Sequence, residues 1–198
     1  MQQDLLTALA VYAFATSMTP GPNNVMLMTS GVNFGFRRTI PHMSGVVIGF
    51  AVMIIAVGMG LAGIFYSWPP AHQILLVISV AYLCWLAWRI ATQPTDVLAP
   101  GEAARPMSLL EAAAFQWVNP KAWTMAVTSV TAYAPDQALT SVLLVALVFG
   151  VVNLPAVGSW TLIGLNISRF LGNPRRLRVF NVTMALLLIL SLYPVIWS

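Results

Sequence analysis

Two short stretches carry the residues whose types and spacing could do chemistry. Thr19-Pro20-Gly21-Pro22-Asn23-Asn24 sets two prolines and a glycine among neutral hydrogen-bonding side chains, and Asn119-Pro120-Lys121 stands one hundred positions further on. Proline removes an amide donor and clashes with the carbonyl four residues back. Both stretches therefore predict an interrupted helix. The helix end before such a break offers free carbonyls, suited to an ammonium group. The helix start after it offers free N–H groups and partial positive charge, suited to an anion. Thr19, Asn23, Asn24 and Asn119 add donors and acceptors without net charge, and Lys121 adds a full positive charge. A zwitterionic amino acid needs both poles at short separation. Thr19, Pro20, Gly21, Pro22, Asn23, Asn24, Asn119, Pro120 and Lys121 are the expected substrate-binding residues.

The elements that hold these residues must lie in lipid. Of 198 residues, 59% are hydrophobic and 7% charged, against about 25% charged in an ordinary soluble domain. One cysteine, Cys84, excludes an internal disulfide. The start of the chain is apolar but lacks a basic flank and carries Asp4, so it reads as a retained first span rather than a signal peptide. A hydrocarbon core about 30 Å thick requires roughly 20 apolar residues in helix. Spans are expected over about 4–34, 40–66, 71–92, 109–134, 138–167 and 178–197. The predicted fold is an all-α integral membrane protein of six transmembrane helices, since runs this long lack the alternation of a barrel strand.

The basic residues set the expected orientation. Arg37, Arg38, Arg89, Arg105, Arg169, Arg175, Arg176 and Arg178 fall on one set of connections, and the opposite set holds no Lys or Arg. The positive-inside bias places both termini outside the cytoplasm. The net charge of +4 is thus topological and implies no nucleic-acid partner. Tyr66, Trp68, Trp88, Tyr193 and Trp197 lie near span ends, as an aromatic belt requires. Lys121 belongs to neither set and lies well inside the fourth span. With Asp4, Glu111 and Asp136 all near span edges, it has no fixed counter-ion there, and the substrate carboxylate is the expected partner.

No separate domain is expected within 1–198. The polar connection 93–108 divides a first three-span half, 1–92, from a second, 109–198. Three is odd, so the second half enters the membrane with opposite orientation, which permits two inverted repeats with interrupted first and fourth spans. Other features have plainer readings beside functional ones. Asn153-Leu154-Pro155 is either a third break or a kink in a packed helix. Gly45 and Gly49 suit close helix packing. Trp117 and Trp123 either wall a pocket or face lipid. Asn181 suits an interhelical hydrogen bond, and His42 is a structural, interfacial or proton-carrying group.

These residues also carry a family likeness. "MTPGPNN", then "GFRRT" and "HMSGVVIGF", and later "QWVNPKAW" resemble the corresponding elements of the LysE/RhtB family of amino-acid exporters, over essentially the whole chain. The resemblance implies a secondary transporter in the bacterial inner membrane. It would export amino acids or close derivatives from the cytoplasm, driven by the proton motive force. The compact exporters of small neutral substrates, homoserine, threonine, leucine or cysteine and O-acetylserine, look nearer than those of basic amino acids. The family also implies a homodimer or larger homo-oligomer. No metal or cofactor is expected. If protons are exchanged, Lys121 and His42 are the candidates, because no carboxylate lies well inside a span. Rival classes are a channel or non-transport membrane subunit and an intramembrane enzyme. The last lacks an H-E-x-x-H motif and paired aspartates within a span, and nothing in the sequence orients His42 toward Ser17 as a base. The topology has a direct test: alkaline phosphatase fused after Ser198 is expected to be active, and an inactive fusion refutes the orientation.

Overall fold

The computed structural model describes residues 3–95 and 105–193. They form helices joined by short turns, with no strand among the described residues. The first helix, α1 (Gln3–Met18), ends where Pro20 and Pro22 withdraw the amides that the Thr16 and Met18 carbonyls would otherwise accept. Helix α2 (Pro22–Gly58) then starts on proline, whose fixed φ suits the first helical position. The helix is interrupted outright over this stretch, as expected.

Helix α2 spans 37 residues, about 55 Å if straight, but it is folded back on itself. Gly35 adopts φ 78°, ψ 173°, a left-handed backbone that favours glycine. The Ser30 and Thr39 hydroxyls lie 2.8 Å apart, whereas nine residues of straight helix would separate them by about 13 Å. The helix is a hairpin with arms at 22–34 and 36–58. The break expected over "FGFRRT" is thus made by Gly35 alone. The second arm ends at Gly58, not near residue 66, because Gly60 turns the chain at φ 97°. A 3-10 turn and the single-turn α3 (Ile64–Ser67) lead into α4 (Pro70–Ala91).

Of the polar connection 93–108, residues 96–104 lie outside the described residues, and Arg105 lies on its far side, ahead of the second half. Helix α5 (Leu109–Phe115) opens with a capping box: Glu111 N–H donates to Ser108 Oγ at 3.2 Å and Ser108 N–H to Glu111 Oε2 at 2.7 Å. Arg105 donates to both Glu111 oxygens at 2.7 Å, and this hydrogen bonding raises the guanidinium pKa above its ordinary value. The chain tightens to a 3-10 turn at Gln116–Val118, is extended at Asn119, and restarts as α6 (Pro120–Tyr133). Helix α7 (Leu139–Ser168) runs through Pro155 without a break, so the Asn153-Leu154-Pro155 element does not interrupt span five. Helix α8 (Pro174–Leu190) is capped by Asn173, whose Oδ1 accepts from Arg175 N–H at 2.8 Å. Arg175, Arg176 and Arg178 therefore sit on the helix, whose start precedes the expected 178.

Helix α7 packs against α1 and both arms of α2, while α4 packs against α8. Glycine makes the crossings close. A side chain at Gly31 would strike the Thr161 carbonyl, and one at Gly164 the Met28 carbonyl. Gly45 and Gly49 let the second arm of α2 lie against Leu109 and Ala113 of α5, the close packing expected of them. Asn33 donates to Asn181 at 3.1 Å, confirming the latter as an interhelical bonder. Large apolar side chains face outward along the bundle, among them Val11, Phe14, Val77, Leu147, Val151 and Leu186. So much exposed apolar surface belongs in lipid. Pro22–Gly58, Pro70–Ala91 and Leu139–Ser168 are long and apolar enough to cross a membrane. Trp68 and Trp88 are exposed; Trp197 and the Tyr66 side chain fall outside what is described.

The crossing of α2 with α7 makes a prediction. Gly164→Leu should lower thermal stability in detergent, since overpacking typically costs about 1–3 kcal/mol. Gly150→Leu, with open space around its site, should leave the transition unchanged. Equal effects of the two would refute the close-approach role.

Candidate functional site

The two interruptions meet. Lys121, the second residue of α6, reaches across from the second half and donates from Nζ to the Thr19 carbonyl at 2.5 Å, a contact spanning 102 positions of sequence. Gly21 makes room for it, since a Cβ there would stand 2.7 Å from Lys121 Cδ. Asn23 and Gln116 form a reciprocal amide pair, with Asn23 Nδ2 donating to Gln116 Oε1 at 2.9 Å and Gln116 Nε2 donating back at 3.2 Å. Gln116 Nε2 also donates to the Ala112 carbonyl at 2.9 Å.

Each broken end is completed by a side chain that a continuous helix would not need. Asn24 Nδ2 donates to the Ser17 and Thr19 carbonyls at 2.8 Å each, covering the carboxyl end of α1. Asn119 Oδ1 accepts from Lys121 N–H at 3.2 Å, capping α6 with Pro120 at its first position. The Thr19 hydroxyl turns back onto the Ala15 carbonyl at 2.6 Å, so Thr19 contributes its carbonyl to the junction, and Pro20 is exposed.

Between the ends lies a cavity of about 30 Å³, bordered by Gly21, Asn23, Asn24, Gln116, Asn119 and Lys121, with Ser17 and Asn153 alongside. That is room for a water or two. The electrostatics are one-sided. The starts of α2 and α6 both present positive helix ends here, Lys121 adds an ammonium group, and no carboxylate among the described residues borders the cavity. The carboxyl end of α1 is a negative pole at the junction, and Lys121 occupies it. The buried Ser17 hydroxyl has no hydrogen-bond partner among the described residues.

The expected site residues from Gly21 to Asn24 and from Asn119 to Lys121 are therefore brought together. His42 is not among them: it lines a different cavity, so Lys121 and His42 share no pocket, and neither do Ser17 and His42. Trp117 and Trp123 do not border the junction. Trp123 Nε1 donates to the Trp117 carbonyl at 2.9 Å, and both rings pack against the apolar core. Sequence reasoning missed Gln116, Ser17 and Asn153. The signal for Gln116 was an amide in the otherwise apolar "AAAFQWV". Asn153 reads in the sequence only as part of a break or a kink.

Comparison with known proteins places this geometry. The sequence profile described as LysE type translocator matches residues 14–191. A cysteine/O-acetylserine efflux protein of Escherichia coli (strain K12) is 33% identical over 195 residues, 96% of each chain. A protein of the same description in Shigella flexneri is 33% identical over 191 residues, 93% of this chain and 94% of its own. No solved structure matches the chain. A match over nearly the whole length, on a bundle whose helix breaks converge on a polar cavity, identifies the chain as a member of the LysE family of translocators, a membrane transporter and not an enzyme.

Proposed function

We propose that this transporter exports small neutral amino acids or their close derivatives from the bacterial cytoplasm, binding them where the helix breaks converge. The observation that carries this reading is the unbalanced charge at the junction. Two helix starts and the Lys121 ammonium converge on a cavity that no carboxylate among the described residues borders. An anionic group is what this arrangement lacks. The substrate carboxylate fits between the starts of α2 and α6, and the substrate ammonium fits the carbonyl end of α1. Lys121 now fills that second position. Substrate would displace it from Thr19, and the released ammonium would turn to the carboxylate. The substrates named for the relatives, cysteine and O-acetylserine, are neutral zwitterions.

A cavity of about 30 Å³ does not hold an amino acid, so the halves must part during transport. The packing supports two inverted repeats that would do so. The broken segments touch each other, the second arm of α2 packs on α7, and α4 packs on α8. Each element thus lies against its counterpart in the other half. The Arg178 guanidinium donates to the Ala91 carbonyl at 3.0 Å, so the end of α4 meets the start of α8. Gly31 against Thr161 and Gly45 against Leu109 make the matching cross-contacts, first span to fifth and second to fourth. The reading is thus of six spans, counting the arms of α2 separately, with the arginine-bearing connections cytoplasmic and both termini outside.

Two variants test the site. Lys121→Met should reduce export of labelled amino acid from loaded cells by at least about tenfold, the loss of one charge-assisted contact, with the protein still in the membrane. Export at the wild-type rate would remove the proposed role of Lys121. Pro20→Ala with Pro22→Ala should let α1 run into α2, restore the intrahelical bonds and lower transport. Unchanged transport would show that the interruption is dispensable.

A further inference from the structure

A second and larger cavity, of about 240 Å³, opens one helical turn from the junction. The same hairpin builds both. Asn23, Asn24 and Val46 of α2 border the junction, and Thr29, Ser30 and His42 border the larger cavity. Positions four residues apart on a helix lie about 6 Å apart along its axis. The larger cavity therefore stands directly beyond the binding site, toward the end of the bundle that carries Arg89 and Arg105.

Its charged lining has two parts, Arg89 and the Arg105–Glu111 ion pair. Arg89 rests over the Trp85 ring, 5.0 Å from the centroid, and its guanidinium makes no hydrogen bond among the described residues. Glu111 faces the same space, its carboxylate held at the mouth by Arg105 at 2.7 Å. His42 lies at the wall with 2% exposure, and neither ring nitrogen has a partner among the described residues. A buried polar group left unpaired costs about 1–3 kcal/mol, and an imidazole with both nitrogens unpaired is one that awaits a ligand or water. Met26, Leu86 and Ile90 supply apolar surface in the same lining.

We propose that this cavity is a loading station on the cytoplasmic side, a second binding place for a small zwitterionic amino acid before it reaches the junction. Arg89 holds the carboxylate, Glu111 attracts the ammonium, and His42 donates or accepts a hydrogen bond from within the wall. The station rests on the export reading, because its place in the path assumes that substrate enters from this side. It is nonetheless separate from Lys121. A molecule bound there touches none of the junction residues.

The test uses the full chain in inverted membrane vesicles, with O-acetylserine as probe because it has no thiol to compete with a maleimide. Gln93, partly buried at the cavity wall, is replaced by cysteine in a Cys84→Ser background, and labelling by an impermeant maleimide is followed. O-acetylserine should slow labelling, and should still do so when Lys121→Met is added, although transport is then lost. Arg89→Gln should raise the half-saturating concentration about tenfold, the worth of one charge-assisted contact, and leave the maximal rate within about twofold. Arg89→Lys should recover part of the loss, a response that a packing role would not give. Protection that vanishes with Lys121→Met, or its absence in vesicles that transport O-acetylserine, would overturn the station. Wild-type half-saturation in Arg89→Gln would do the same. Transport surviving in Lys121→Met would instead overturn the junction reading, so the two can fail separately.

Discussion

Everything in this molecule turns on the rule that a backbone inside lipid cannot leave its amides and carbonyls unpaired. Pro20, Pro22 and Pro120 break that rule twice, and each break creates a helix end that needs a partner. The breaks solve the problem together. Lys121 of the second half covers the Thr19 carbonyl of the first, and Asn23 pairs with Gln116 across the same seam. Removing either break would leave the other without its complement. Gly21 is the least conspicuous participant, giving the lysine side chain a path between the two helix ends.

The bonds that close this seam are individually weak. An amide pair such as Asn23 with Gln116 contributes on the order of 1 kcal/mol net, and both groups can turn to water or substrate when they separate. A buried ion pair in the same place would cost several kcal/mol to break by exposing either charge alone. The contact of Lys121 with a carbonyl lies between these cases. It keeps the lysine charge satisfied without a fixed carboxylate beside it.

Rigidity is concentrated elsewhere. The glycine contacts of Gly31, Gly164, Gly45 and Gly49 bring helix backbones together where a single added carbon would collide with a carbonyl or a Cα. Such surfaces lose much of their dispersion attraction over a small radial gap, so they favour motion of paired elements as blocks. The hairpin at Gly35 ties the arms of α2 into one such block. That block lines both cavities, so any movement of it alters the junction and the space beyond it together.

The sequence by itself determined the solvent, the helical class and the positions of both breaks, because these depend on local properties: hydropathy, helix length and the missing amides of proline. It also singled out Lys121 as a charge without a partner. It did not determine that Pro155 would be absorbed in a continuous α7, since a proline kink is decided by what packs beside it. Nor did it show that the second span stops at Gly58, because the apolar run continues past the turn at Gly60. Gln116 was the chief omission: a lone amide in an apolar stretch has no meaning until the chain folds and Asn23, 93 positions away, faces it. Which residues border one cavity, and that His42 belongs to another, was settled only by the tertiary structure. Contacts between distant segments follow from how whole helices cross, and crossing geometry is set jointly by both faces, which no short stretch of sequence contains.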